Sequence, residues 1–576
     1  MRLKTWHSLS LLALVVLAAY YPTLHAGYNS IDDLKLINSI GQSGPLDLVH
    51  LFVRKGSYYY RPLTILSYTL DRDAWGSIAS FMHLESILLH LVCAWLVFAI
   101  TRRLLPLWGE QRQGPALFAG LFFALHPLAT ESVCWISGRT DPLMALFLLL
   151  AVYLTVVALS SERPLAALAG GCALLLSGLA KEVAVFILPG LLWLIVVYPG
   201  QESWIGRLRR RWWTLLMPTA GIAGYFALRH LAIARDSGIG TALRGVTGGD
   251  YDPLNKARIA FKVYGFYFKK LLMPWPLNFG IIEVSGWYVL SGIVLAALLL
   301  YLAWRADVAG AFGLMAFFVV SPALLVVFGK MTWTPLAERY LYASVALVAP
   351  LVAFLVVRLR GFATAHARRR WDLALAALLL LFFGTTLHRA WIWQDNLRLY
   401  RDTVAKSPDF DAAKTELASA LLRKGRTAEA REILAGMQLG SSASDYINDD
   451  MNLAGMLESK GDLEGARRVL LPLLNKNPKK RFEVLQSLIR TNDQRLGRVS
   501  DPSVRAAIQQ ESLDWLLEEY RMRPEVFTLY RIGKQYLAMG DKDQALEFFR
   551  RVDAQAPRNA HYRGAVATFI RRLEGS

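Results

Sequence analysis

The distribution of apolar and polar positions divides the chain into two parts. Up to about residue 392, apolar runs long enough to cross a membrane alternate with short polar connections, a helix needing roughly 20 such residues to span the hydrocarbon core. Candidate spans lie near 7–25, 83–101, 116–134, 140–160, 164–181, 183–199, 212–233, 286–304, 309–328, 337–357 and 371–390, about eleven in all. A polar loop of about residues 26–80 follows the first of them. The stretch 257–281 differs, because Lys262, Lys269 and Lys270 interrupt its aromatic residues and Pro274-Trp275-Pro276 closes it. That pattern suits an interfacial or re-entrant helix better than a clean span. The basic start from Met1 to Lys4 precedes an apolar run from Leu9 to Tyr20 with no small-residue cleavage site squarely behind it, so the expectation is a retained first membrane helix.

From 393 to 576 the chain is dense in both signs of charge, and a short register recurs: GRTAEA at 425–430, GDLEGA at 461–466 and GDKDQA at 540–545. Each reads as a helix-turn-helix with glycine at the turn. In the last unit Gly533, Tyr536, Gly540, Ala545, Phe549 and Pro557 fall where a 34-residue tetratricopeptide repeat places its small, aromatic and terminating residues. Ala454, Leu457, Gly461, Ala466, Leu470 and Pro478 match in the second unit, and Ala418, Leu421, Gly425, Ala430 and Leu434 in the first, which lacks the closing proline. Such residues mark a repeat's packing, and the stacked pairs leave a concave face for a partner. The segment 480–524 reads as helical and fits the repeat poorly, as a degenerate unit would.

Composition supports the division. Hydrophobic residues make up 54% of the 576, more than an ordinary soluble globule carries, and charged residues only 19%. The formal net charge of +19 would suit a nucleic acid, but the densest basic runs, Arg207 to Arg211 and Arg368 to Arg370, lie in connections between apolar segments. Positive-inside topology accounts for them, and no nucleic-acid partner is expected. With the N-terminus in the cytoplasm and eleven crossings, the first loop and the C-terminal repeats share the extracytoplasmic side. Three cysteines, Cys93, Cys134 and Cys172, build no disulfide framework.

Charged groups at the ends of apolar segments carry the most information, since each costs some kilocalories per mole unless it is paired, hydrated or used. They are Asp32 and Asp33 in YNSIDDLKLINSI, Tyr60-Arg61-Pro62-Leu63, His83, Glu85 and His90, His126-Pro127 with Glu131, Arg139 and Asp141 in GRTD, Lys181-Glu182, Arg229-His230, and Glu338-Arg339-Tyr340. On this topology nearly all face the extracytoplasmic side, where one polar cavity would gather them. His90 lies deeper along its helix and reads as a buried hydrogen-bonding histidine. Taken singly, most have a bland reading as caps, snorkelling groups or internal ion pairs.

In their order, the double acid, Tyr-Arg-Pro-Leu, the His-Leu-x-x-x-x-Leu-His helix, His-Pro with a following acid, Gly-Arg-x-Asp, Lys-Glu and Ala-Glu-Arg-x-Leu-Tyr resemble the transmembrane and tetratricopeptide-repeat (TMTC-type) glycosyltransferases of the GT-C class. The resemblance covers nearly the whole chain. Departures are the small number of repeats and a threonine at position 140, where a small residue is more usual. It implies an all-α protein, a GT-C-like transmembrane domain over 1–392 and an extracytoplasmic repeat domain over 393–576. It further implies inverting transfer of a sugar from a polyprenyl-phosphate-linked donor to a Ser or Thr hydroxyl of an extracytoplasmic protein gripped by the repeats.

Within that resemblance the general base is Asp33, with Asp32 the next choice, and Arg139, Lys181, Arg229 and Arg339 are the cations for the phosphate. His126, Glu131, Asp141, Glu182 and Glu338 would orient sugar hydroxyls or hold the cations, Tyr60 and Arg61 would line the donor entrance, and His230 lies beside Arg229. A divalent cation, magnesium or manganese, stays open, since relatives differ and the acids show no local metal-ligand spacing. The chain suits a bacterial inner membrane, or the endoplasmic reticulum membrane if the source is eukaryotic. The alternative is a non-enzymatic, membrane-anchored scaffold or assembly factor, for which the intramembrane charges are replaceable. A transporter would instead need polar residues near the midplane.

Overall fold

A computed structural model describes residues 4–41, 46–53, 59–199, 205–206, 209, 211–232, 252–329, 334–435, 451, 454–455, 457–458, 461–476, 481–556 and 562–574. Among these residues every regular element is helical. Internal contacts divide the chain into two compact units, Met1–Glu416 and Leu417–Ser576.

In the first unit, α1 (Thr5–Tyr20) is followed by three loop helices, α2 (Asp33–Gly41), α3 (Leu48–Val53) and α4 (Pro62–Trp75). Then come α5 (Ala79–Leu104), α6 (Gly114–Ala124), α7 (Thr130–Cys134), α8 (Thr140–Ser161), α9 (Pro164–Ala180), α10 (Leu188–Val197), α11 (Trp212–Ala232) and α12 (Pro253–Leu272). The unit is completed by α13 (Tyr288–Arg305), α14 (Val308–Val320), α15 (Ala323–Gly329), α16 (Tyr342–Phe362), α17 (Ala365–Trp393) and α18 (Asn396–Lys406). All eleven hydrophobic segments fall on helices. Among the described residues, seven helical stretches, fewer than the eleven expected, are long and apolar enough to cross a membrane, namely Thr5–His25, Ala79–Trp108, Ile136–Ser161, Tyr288–Arg305, Val308–Phe328, Glu338–Phe362 and His366–Trp393.

An eighth is bent by 46° between Gly114–Ala124 and Pro127–Cys134, where Pro127 has no N–H to continue the helix. Pro164–Ala180 and Glu182–Val197 are shorter apolar helices, because the chain turns extended at Lys181. Helix α12 is not among the seven; Lys269 and Lys270 turn back onto the carbonyls of Trp275, Pro274 and Pro276, tying its end to the turn that follows.

Small residues let these helices approach closely, as van der Waals packing in lipid requires. A Cβ on Gly171 would collide with the Met217 carbonyl of α11, and one on Gly221 with the Gly171 carbonyl. Gly265 of α12 and Gly292 of α13 interlock in the same way. His90 in α5 is fully buried, pairing with the Tyr342 hydroxyl at 2.8 Å and the Ala124 carbonyl at 3.0 Å.

Across the boundary between the units runs α19 (Asp411–Arg423), followed by α20 (Thr427–Ala435), α21 (Leu463–Leu470), α22 (Leu473–Lys476), α23 (Arg481–Leu496), α24 (Pro502–Met522), α25 (Val526–Met539), α26 (Lys542–Gln555) and α27 (Arg563–Glu574). Gly425, Gly461 and Gly540 take φ of +76°, +79° and +87°, the left-handed conformation that ends a helix and costs glycine least. Asp541 then caps the next helix by accepting from the Gln544 N–H at 3.1 Å. Ala454, Ala466, Leu470, Ala545 and Phe549 are buried in one core, and a Cβ on Gly533 would stand 2.9 Å from the Phe549 ring. The irregular segment is the helix pair α23 and α24, whose Leu485, Leu488, Leu513 and Leu516 join that core. Leu434, Pro478 and Pro557 lie outside the residues whose side chains are described.

Candidate functional site

Residues 131–141 run through the polar region of the first unit, and their side chains tie it together. Glu131 Oε1 accepts from Arg339 Nη1 at 2.5 Å, and its Oε2 accepts from the Arg339 backbone N–H at 3.1 Å. Ser137 donates to Asp33, Arg139 binds Asp71, and Asp141 accepts from Lys181 Nζ at 2.5 Å. The 3-10 turn Ile136–Arg139 makes this possible, directing neighbouring side chains to different helices. Gly138 sits at its heart, where a Cβ would lie 3.0 Å from the Glu131 carbonyl oxygen.

Asp33 opens α2 and is only 1% exposed. Its Oδ1 accepts from the Ser137 N–H at 2.9 Å and the Ser137 hydroxyl at 2.5 Å, and its Oδ2 from the Asn29 N–H at 2.8 Å. An ionised carboxylate has about four lone-pair sites, so one on Oδ2 is left for a further donor. Burial raises the Asp33 carboxyl to about 6, against the lowering effect of the Ser137 and Asn29 hydrogen bonds. Asp32 beside it is exposed.

Arg139 is fully buried, with Nη1 on Asp71 Oδ2 at 2.5 Å and on Glu85 Oε2 at 3.1 Å, Nη2 on the Met82 carbonyl at 2.7 Å, and its guanidinium 4.9 Å from the centre of the Tyr68 ring. Four more ion pairs complete the region. Arg61 grips Glu182 with two N–H donors at 2.8 and 2.5 Å. Lys181 pairs with Asp141, Arg339 with Glu131, and Lys270 with Glu338 at 2.5 Å, a carboxylate that also accepts from the Asn278 N–H at 3.0 Å. Lys181 and Arg339 approach the Tyr340 ring at 5.9 and 5.1 Å. Arg61, Lys181 and Arg339 lie within electrostatic reach of Asp141.

The residues singled out in the sequence thus fall into three groups. Arg61, Glu131, Asp141, Lys181, Glu182, Glu338 and Arg339 form internal ion pairs, and Asp33 and Arg139 meet the same 131–141 stretch from the loop side. Tyr60 and His126 stand apart. The Tyr60 hydroxyl donates to the Phe52 carbonyl at 3.2 Å and its ring packs near Tyr225, while His126 is buried against Phe122 and Phe382 and accepts from the Leu128 N–H. Half-buried Arg229 and exposed His230 end α11, and among the described residues neither has an ion-pair partner.

Asp71, Lys270, Ser137 and Asn278 were not legible as members. Asp71 sits in an amphipathic loop helix and Lys270 in a segment read as interfacial, so only their reach across to Arg139 and Glu338 reveals them. Among the described residues no three His, Cys, Asp or Glu side chains are grouped to hold a metal. Glu131, Glu182, Glu338 and one oxygen of Asp141 are turned to cations instead.

Next to Lys181 lies a small cavity between Asp141, Tyr340 and an apolar wall that includes Val319, Pro322, Ala323 and Val326. Asp141, 3% exposed, has no hydrogen-bond partner for its Oδ2 among the described residues.

Comparison with known proteins gives this arrangement a context. A tetratricopeptide repeat profile matches residues 527–559, the α25–α26 pair. Protein O-mannosyl-transferase Tmtc1 of Drosophila melanogaster is 38% identical over 133 residues, 21% of this chain and 15% of that protein. Human protein O-mannosyl-transferase TMTC1 is 36% identical over 93 residues, 16% of this chain and 10% of its own length, and human TMTC2 is 36% identical over 105 residues, 18% and 12%. The matched part is therefore a minor share of each of these relatives. Motif order, repeat and local identity thus agree in likening the chain to the TMTC-type proteins.

Proposed function

We propose that the chain transfers a sugar, mannose by analogy with the names of its relatives, from a polyprenyl-phosphate carrier to a Ser or Thr hydroxyl of an extracytoplasmic polypeptide. The donor phosphate would engage Lys181 beside Tyr340, with the first lipid units against Val319–Val326 and a sugar hydroxyl donating to Asp141 Oδ2. The acceptor oxygen attacks the anomeric carbon as the carbon–phosphate-oxygen bond breaks. The phosphate keeps the electron pair, the configuration inverts, and the hydroxyl proton passes to Asp33 Oδ2. The repeats would bind the acceptor polypeptide, and the GT-C-like domain would extend to about residue 392 with the repeats beyond it.

The observation that carries this reading is Asp33. Buried, held on three hydrogen bonds with one lone pair over, and raised to about 6, it is matched to proton abstraction near neutral pH. One observation favours a non-enzymatic anchor instead: Lys181, Arg339, Arg61 and Arg139 already have internal acids, the pattern of a structural ion-pair lattice.

The test uses the full chain in nanodiscs with a panel of polyprenyl-phosphate sugars and extracytoplasmic acceptor proteins. Transfer by wild type that is lost in a folded Asp33→Asn variant supports the reading. Equal transfer by Asp33→Asn removes the base assignment, and no transfer from any donor favours the anchor.

A further inference from the structure

The polar region occupies one end of the helices; a second feature occupies the other. Helix α16 begins at Tyr342, beside Arg339, and its 21 residues carry the chain about 30 Å to Phe362, roughly one hydrocarbon thickness. Around that far end a cavity of about 830 Å³ opens between the ends of α5, α10, α13 and α16. Five arginines line it, Arg112, Arg305, Arg358, Arg360 and Arg368, against two acids, Glu110 and Asp307. Between them Trp108, Phe354 and Phe362 supply apolar surface.

Several of these charges are already committed. Arg305 pairs with Asp307 at 3.2 Å, Arg360 with Asp372 at 2.7 Å, and Arg368 donates to the Arg360 and Ala363 carbonyls at 3.1 and 3.0 Å. Glu110 spends Oε1 on the backbone N–H groups of Gln111 and Arg112, at 2.9 and 2.8 Å, rather than on a guanidinium. Arg112 and Arg358 are left with no ion-pair partner among the described residues. Two uncommitted guanidiniums over an apolar floor, one hydrocarbon thickness from the polar region, match a phosphate at headgroup depth with acyl chains beside it.

We propose that this cavity binds the headgroup phosphate of an anionic glycerophospholipid, held by Arg112 and Arg358 and bordered by Trp108 and Phe354. Positive-inside topology explains arginines on this face in general. It does not explain why they border a concavity, or why two of them lack acids.

The delipidated full chain is titrated in detergent with phosphatidylglycerol, phosphatidylcholine or inorganic phosphate, and bound lipid is counted by native mass spectrometry. A juxtamembrane cation is worth about a fivefold change in binding, so Arg112→Gln/Arg358→Gln should weaken phosphatidylglycerol binding about 30-fold. The same-face control Arg369→Gln/Arg370→Gln, outside the cavity, should leave it unchanged. If the double variant does not fold, Arg358→Gln alone reads the comparison at about fivefold. Equal binding of phosphatidylcholine, equal loss in the control, or displacement of the lipid by millimolar inorganic phosphate overturns the proposal, the last by making the ligand a free anion.

Discussion

Replacing Asp71 with asparagine tests the Arg139 site most directly. Arg139 is buried with Asp71 at 2.5 Å, and the Asp71 side chain is 1% exposed, so the substitution leaves a guanidinium in a low-dielectric pocket without its main counter-charge. Breaking such a pair from one side costs about 3–5 kcal/mol. Asparagine keeps one oxygen acceptor, and Glu85 remains 3.1 Å away with a side chain 34% exposed, which places the expected loss near the lower end, about 3 kcal/mol. Glu85→Gln, screened by solvent, should cost under about 1 kcal/mol. Arg139→Gln leaves the Asp71 carboxylate, whose side chain is 1% exposed, without its cation, a cost of about 3–5 kcal/mol. The double variant Asp71→Asn/Arg139→Gln should then be no less stable than Arg139→Gln alone, giving a coupling energy of at least about 3 kcal/mol. Reversible unfolding in mixed micelles, followed by far-ultraviolet circular dichroism, measures all four corners of the cycle. Losses that simply add would refute the claim that Asp71 exists to neutralise Arg139.

Other outcomes follow from the same geometry. If Asp33 is the base it must be unprotonated, so with its carboxyl at about 6 the transfer rate should fall as pH drops through about 6, whereas an ordinary aspartate would hold activity down to about pH 4; a rate–pH profile with no limb between pH 5 and 7 counts against it. Gly171→Leu should separate α9 from α11 and cost well over 1 kcal/mol, while Gly384→Leu, with nothing within 4 Å of a Cβ, should be near neutral in the same unfolding assay. In the repeats, Gly540→Ala strains a left-handed residue by about 1 kcal/mol, and Gly533→Ala presses on the Phe549 ring for about 1–3 kcal/mol; thermal melts that rank both as silent would contradict the packing described.

Much of the candidate site was visible as a set of residue types and little of it as a set of partners. Lys181-Glu182 shows why. The two are adjacent in sequence and read as a pair, yet Lys181 binds Asp141 and Glu182 binds Arg61, because the extended residue at the end of α9 turns their side chains apart. Glu338-Arg339 behaves alike, the acid joining Lys270 and the arginine joining Glu131. His126 shared the motif order but lies among phenylalanines, since the bend at Pro127 directs its ring to Phe382.

Local physical chemistry is enough to specify the apolar segments, the glycine turns of the repeats, the positively charged connections and the helix ends at which charges gather, because hydrophobic run length, left-handed glycine and charge cost in lipid act over a few residues. Which acid meets which cation, the place of Asp71 and Lys270, the single lone pair left on Asp33 and the cavity at the far ends of the helices belong to the tertiary structure alone. They depend on contacts between segments tens to hundreds of residues apart, and no local rule carries that information.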